Sequence, residues 1–208
     1  MKIGIIGANG KAGRLIVKEA LSRDLDVTAI VRHENKSDAV KAIQKDLFDL
    51  SYDDLKAFDV IIDAVGTTSE NAAQHITSLK HLADVLKEKP NRLLIIGGAG
   101  SLYTNAEHTL KLIDAPDFPD SFKPVASSMS QALDNLRKIS DVNWTFISPA
   151  ADFRYDGART GSYILAGEEF TVNSKGESIL SYADYAIAMI DEAVKGNHIR
   201  QRISVVGK

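Results

Sequence analysis

The sequence predicts an α/β fold, a doubly wound parallel sheet in a single domain spanning residues 1–208, and three observations predict it. Short apolar runs alternate with stripes of helical period along most of the chain. The first strand passes directly into the first helix through a turn with three glycines, Gly7-Ala8-Asn9-Gly10-Lys11-Ala12-Gly13. The run Val60 to Val65 is apolar almost throughout, as a parallel strand covered on both faces must be.

Taken in order, Lys2 to Ile6 is the first strand. Ala12, Leu15, Ile16 and Ala20 mark the buried face of a helix from Lys11 to Leu21. Val27 to Val31 is the second strand, Ala42 to Asp46 a short third, Ser51 to Ala57 a brief helix, and Val60 to Val65 the fourth strand. Ala72, Ile76, Leu79, Ala83 and Leu86 define the next helix, which Pro90 ends, before a fifth strand at Leu93 to Ile96. A loop with prolines and aromatics runs from Gly97 to Pro124, with a short helix expected near Glu107 to Ile113. Val125, Met129, Ala132, Leu136 and Ile139 make another helical stripe, and Trp144 to Ile147 the sixth strand.

The alternation then breaks. Gly161 to Leu180 holds β-prone pieces around Tyr163 and Phe170, with a turn signal at Ser174 to Gly176. Ser181-Tyr182-Ala183-Asp184 caps a helix whose face is Ala183, Ala186, Ile187, Ile190 and Val194, and Gln201 to Val206 is the last strand. This segment is too short for a second domain and reads as a small C-terminal extension that walls the substrate side of the sheet.

Composition narrows the function. A net charge of −3 offers no basic footprint for nucleic acid, and no apolar run is long enough for a bilayer, so a cytoplasmic location is expected. The absence of cysteine removes disulfides and thiolate chemistry. His33, His75, His81, His108 and His198 show no ligand spacing, so no metal site is expected.

The glycine turn carries the chemistry. Glycine permits the reversal and a close ligand approach, while unpaired N–H groups at the helix start suit a phosphate. The spacing is Gly-x-x-Gly-x-x-Gly rather than the commoner Gly-x-Gly-x-x-Gly, but strand, turn, helix and second strand follow in the order a dinucleotide site demands. An ordinary strand-to-helix turn is the alternative. Gly7, Gly10 and Gly13 are the candidate cradle.

These residues, with Ile30-Val31-Arg32, Asp46-Leu47, Ala64-Val65-Gly66-Thr67 and Ile179 to Ala186, resemble the atypical branch of the short-chain dehydrogenase/reductase superfamily. Gly97 to Tyr103 and Ile147-Ser148-Pro149-Ala150 are most similar to bacterial NADH-flavin reductases, relatives of biliverdin IXβ/flavin reductase. The resemblance covers nearly the whole chain and implies a Rossmann fold. It implies that Asn9, Gly10, Lys11 and Ala12 lie along the pyrophosphate, that Asp46 and Leu47 flank adenine, and that Ala64, Gly66 and Thr67 line the ribose side. Arg32 falls where NADP-selective proteins present arginine to the 2′-phosphate, so NADPH is expected over NADH. Pro149, Ala150 and Ala151 would close the nicotinamide side, and Ser101 matches the family's active-site serine, able to hydrogen-bond the substrate ring or orient nicotinamide, or else to bond its own backbone.

The superfamily's Tyr-x-x-x-Lys pair is missing from the helix after the fifth strand, which reads Pro124-Val125-Ala126-Ser127-Ser128-Met129-Ser130-Gln131. Alcohol dehydrogenase and sugar epimerase chemistry is therefore disfavoured. Hydride transfer to a flavin substrate or a similar planar acceptor such as a quinone needs stacking more than a protein acid. Ala151 stands where the biliverdin-reducing relative has histidine, which argues against bile pigments. Two functions remain: an NAD(P)H-dependent reductase of planar acceptors, and a non-catalytic redox-sensing regulator that binds the same dinucleotide.

Overall fold

In a computed structural model describing residues 1–208, the strands are β1 (Lys2–Ile6), β2 (Asp26–Val31), β3 (Lys41–Gln44), β4 (Val60–Asp63), β5 (Arg92–Ile96), β6 (Asn143–Ser148), β7 (Asp152–Arg154), β8 (Tyr163–Ala166), β9 (Ile179–Ser181) and β10 (Gln201–Gly207). The helices are α1 (Lys11–Leu21), α2 (Tyr52–Leu55), α3 (Gln74–Val85), α4 (Lys123–Leu136) and α5 (Tyr182–Lys195). None is long and apolar enough to cross a membrane.

Eight strands form one sheet in the order β3-β2-β1-β4-β5-β6-β10-β8, parallel except for β8, which runs antiparallel to β10. The order reverses direction at β1, so the crevice beyond the ends of β1 and β4 is the place where such a sheet binds ligands. Period-2 alternation sends Ile3, Ile5, Val60, Ile62 and Leu94 to a core under α1 and α5. It sends Ile6, Ile61, Leu93 and Ile95 to a second core under α3 and α4, where Phe58, Trp144 and Phe146 supply the bulk. Gly4 belongs to this arrangement, because a Cβ there would lie 2.8 Å from the Phe58 ring.

Three sequence expectations need correction. The helix near Glu107 to Ile113 does not form: the Asn105 side chain accepts from the N–H groups of Thr109 and Leu110 at 3.1 and 2.9 Å, and His108 adopts φ 55°. A side chain that satisfies these backbone groups locally competes with the helix, and only a 3-10 turn at Leu112–Asp114 remains. Around Phe170 there is no strand, only a bridge between Tyr103 and Glu169. The extension is also more integrated than its length suggested. Its piece at Tyr163 becomes the edge of the main sheet, while β7 and β9 pair as a separate parallel ribbon.

α5 fixes that end of the molecule. The Ser181 hydroxyl accepts the Asp184 N–H at 3.0 Å, and the Asp184 carboxylate accepts the N–H groups of Thr160 and Gly161 at 2.9 Å each. The buried Tyr185 hydroxyl donates to the Ile147 carbonyl at 2.7 Å and so pins the end of β6.

Candidate functional site

The site begins at the turn between β1 and α1. Gly7 has φ 76°, and a Cβ on it would lie 2.8 Å from the Ala64 carbonyl oxygen. Gly13 is more constrained still: its Cβ would fall 2.3 Å from the Gly7 oxygen, which is backbone and cannot swing aside. No side chain caps α1, and its first turn holds no acid, so its leading N–H groups are left for a ligand. That is the chemistry of a phosphate cradle, and the residues fit a dinucleotide pyrophosphate.

Asn9 does something the motif alone does not reveal. Its amide donates to the Glu34 carbonyl at 2.9 Å and accepts the Lys36 N–H at 2.7 Å, tying the turn to the segment after β2. Lys11 lines the cleft and holds its ammonium 4.8 Å from the centre of the Tyr155 ring.

Two recesses meet at the turn. The smaller, of about 350 Å³, is lined by Gly7, Asn9, Arg32, Asp46 and Leu47 among others. Arg32 is exposed there and makes no ion pair, whereas neighbouring Lys45 is bound to Asp54 at 2.7 Å. Asp46 accepts the Phe48 N–H at 2.9 Å, so its carboxylate shapes the loop beneath the recess. The larger cleft, of about 770 Å³, shares Gly10, Ala64, Val65 and Gly66 with the smaller and extends to Gly97, Gly98, Pro149 and Ala150. Its far wall comes from Phe118 and Phe122 in the loop and from Val125 and Met129 of α4, which the helical period had assigned to packing.

Gly66 faces open space, with nothing within 4 Å of a Cβ placed there. Gly97 is the opposite case, because its Cβ would meet the Phe146 ring at 2.3 Å. On the α5 side, Phe153 and Tyr182 stack at 3.9 Å, and burial pushes the Tyr182 phenol upward, keeping it protonated.

Ser101 requires the main correction. It is buried at 4 % exposure and does not line the cleft, although Gly100 beside it does. Its carbonyl accepts Arg202 Nη2 at 3.3 Å, and its hydroxyl lies 3.5 Å from Arg202 Nη1. The Arg202 side chain is wholly buried and paired with Glu168, so the serine is held from behind by an internal cation. Tyr103 turns elsewhere as well, stacking on His108 at 4.5 Å, and His108 bonds Glu169 at 2.7 Å.

Two polar groups of the cleft stand out: His75, which is not expected there from the sequence, and Thr67, which the resemblance sets on the ribose side. His75 lines it at 7 % exposure, and burial lowers its pKa below the ordinary value. The Thr67 hydroxyl is buried with no hydrogen-bond partner. His75 falls on the same helical face as Leu79 and Leu82, and a polar residue on an apolar stripe was the signal available. Asp63, at the end of β4, is buried too; it accepts the Val65 N–H at 3.1 Å, and desolvation raises its pKa to about 6.

Comparisons with known proteins agree with this geometry. A family model described as NAD(P)H-binding matches residues 7–193. YwnB of Bacillus subtilis, an uncharacterized protein, is 44 % identical over 211 residues, with 100 % of this chain and 99 % of YwnB covered. The crystal structure of SP1627 from Streptococcus pneumoniae, named as a candidate NADH-flavin reductase, is 52 % identical with a TM-score of 0.98 and covers 100 % of both chains. ChuY, an anaerobillin reductase of Escherichia coli, has a TM-score of 0.76 over 99 % of this chain and 97 % of its own. At 17 % identity that likeness is one of fold alone.

Proposed function

The chain belongs to the NAD(P)H-binding family, in the atypical, flavin-reductase-like branch of the short-chain dehydrogenase/reductases, and on that premise we propose that it passes a hydride from NADPH to a flavin or a similar planar acceptor such as a quinone. The wider assignment, an NAD(P)H oxidoreductase, rests on the family match and on the 52 % identity to the streptococcal candidate reductase. The acceptor class and the preference for NADPH are the proposal. One observation carries it: a cleft of about 770 Å³ with an apolar far wall opens directly off the phosphate cradle.

Bound NADPH supplies the hydride. The leading N–H groups of α1 meet the pyrophosphate, and Arg32 meets the 2′-phosphate with a guanidinium that no protein carboxylate competes for. Gly97, Gly98, Pro149 and Ala150 line the cleft at the ends of β5 and β6, where the nicotinamide ring would lie. Phe118, Phe122 and Met129 exclude water from its other face and favour a planar partner. A reduced flavin or quinone can take its remaining proton from solvent, so the missing tyrosine and lysine do not stop the reaction.

The test is steady-state NADPH consumption across FMN, riboflavin and quinones against a no-protein control, with cofactor binding measured separately. Acceptor-dependent turnover above the control supports the reductase. Confirmed binding without turnover on any acceptor would replace it with the redox-sensing regulator.

A further inference from the structure

The two recesses share Gly10, Ala64, Val65 and Gly66, and the cradle of α1 opens at the same place. A pyrophosphate crossing there puts the adenosine half in the smaller recess and the nicotinamide half in the larger. This inference rests on that reading of the cofactor's direction. The first side chain on the larger side of the crossing is Thr67, immediately after Gly66. The first turn of α3 is divided in the same way: Gln74 lines the smaller recess and His75 the larger.

Thr67 and His75 both line the larger recess, and neither side chain is bonded within the protein. The Thr67 hydroxyl is shut off from solvent with no partner, and the His75 ring, in a residue 7 % exposed, makes no hydrogen bond within the protein and lines the cleft. Buried polar groups are nearly always bonded, so the orphaned Thr67 hydroxyl, in the same cleft lining as an imidazole that no protein group engages, points to a ligand that completes them. The remaining ionisable side chains of the cleft stand elsewhere: Lys11 lies over Tyr155, Asp117 is exposed in the loop, and Tyr182 is stacked on Phe153. A neutral imidazole offers one N–H and one lone pair, and a threonine hydroxyl both donates and accepts. Each can therefore donate to or accept from a hydroxyl, the chemistry that a diol requires.

We propose that His75, with Thr67, binds the ribose diol of the cofactor's nicotinamide half. The contact orients the ring at the ends of β5 and β6, in a chain whose α4 carries no tyrosine–lysine pair.

The experiment compares two probes by fluorescence and calorimetric titration: NADPH, and adenosine 2′,5′-bisphosphate, which lacks the nicotinamide half. His75→Leu should weaken NADPH by roughly five- to tenfold, the value of about one hydrogen bond, and leave the bisphosphate within about twofold. His75→Gln, which restores a donor and an acceptor, should recover part of the loss. Thr67→Val, close in volume, should give the same selective pattern even if His75→Leu does not fold. Equal losses for both probes, unchanged NADPH affinity, or a loss confined to acceptor KM would each overturn the assignment. Wild-type protein that binds the bisphosphate and NADPH equally well overturns it too, whereas wild-type protein that binds neither overturns the cofactor reading itself.

Discussion

The guanidinium of Arg202 on β10 donates to the main-chain oxygen of Ser101 at 3.3 Å, across 101 residues of chain, and so fixes the loop after β5 from behind. The cation is wholly buried, its carboxylate Glu168 is about one-third exposed, and Arg137 binds the same carboxylate.

Arg202→Met should therefore destabilise the protein by about 2–3 kcal/mol, less than for a fully buried pair because Glu168 keeps Arg137 and water. For a chain of this size that lowers Tm by roughly 4–12 °C. Ser101→Ala removes only a long contact and should leave Tm and acceptor turnover nearly unchanged. A large loss of turnover with intact NADPH binding would return Ser101 to the chemistry.

The glycines divide into those the fold needs and those the ligand needs. Gly13→Ala drives a Cβ into the Gly7 oxygen and should cost about 1–3 kcal/mol or more, read as a lower denaturation midpoint. Gly66→Ala meets nothing in the protein and should leave the midpoint unchanged while weakening NADPH. Normal cofactor affinity in Gly66→Ala would move the pyrophosphate crossing elsewhere.

Arg32 sets the cofactor preference. Native protein should favour NADPH over NADH by roughly ten- to a hundredfold, the range of a charge-assisted phosphate contact, and Arg32→Asp should erase or reverse this. Equal native affinities would refute the placement and favour the NADH in the streptococcal relative's name.

Asp63 makes stability depend on pH. Its folded pKa, about 6, lies above the ordinary 3.8 because burial penalises the charged form. Between those values the folded chain holds a proton that the unfolded chain has released. The contribution therefore favours folding at low pH and falls as pH rises through about 6, by about 3 kcal/mol in all. Asp63→Asn keeps an acceptor for the Val65 N–H and removes the charge. Urea midpoints should show it more favourable, relative to wild type, at pH 8 than at pH 5; an identical difference at both would rule this out.

Much of the sheet was legible because its strands are uninterrupted apolar runs and its first turn must be glycine. The fourth strand follows from its continuous apolar run, and the stripes of α1 and α5 from helical periodicity. Ser101 was not legible, because the group that claims it arrives a hundred residues later on a strand laid beside β6. His75 hid for a related reason: on an apolar stripe a histidine looks like packing, and only the folded wall shows its nitrogens without partners. The loop after Tyr103 misled because Asn105 satisfies locally the amides that a helix would have needed.

The sheet's final strand is also an inner one: β10 lies between β6 and β8. During synthesis β8 emerges long before the partner it pairs with, and β6 shows a bare edge until Gln201–Gly207 clears the ribosome. Nascent chains at that stage carry an open row of backbone donors and acceptors, the feature that recruits other strands. A ribosome stalled shortly before Gln201 would release a product prone to aggregate, with the whole dinucleotide crevice already encoded.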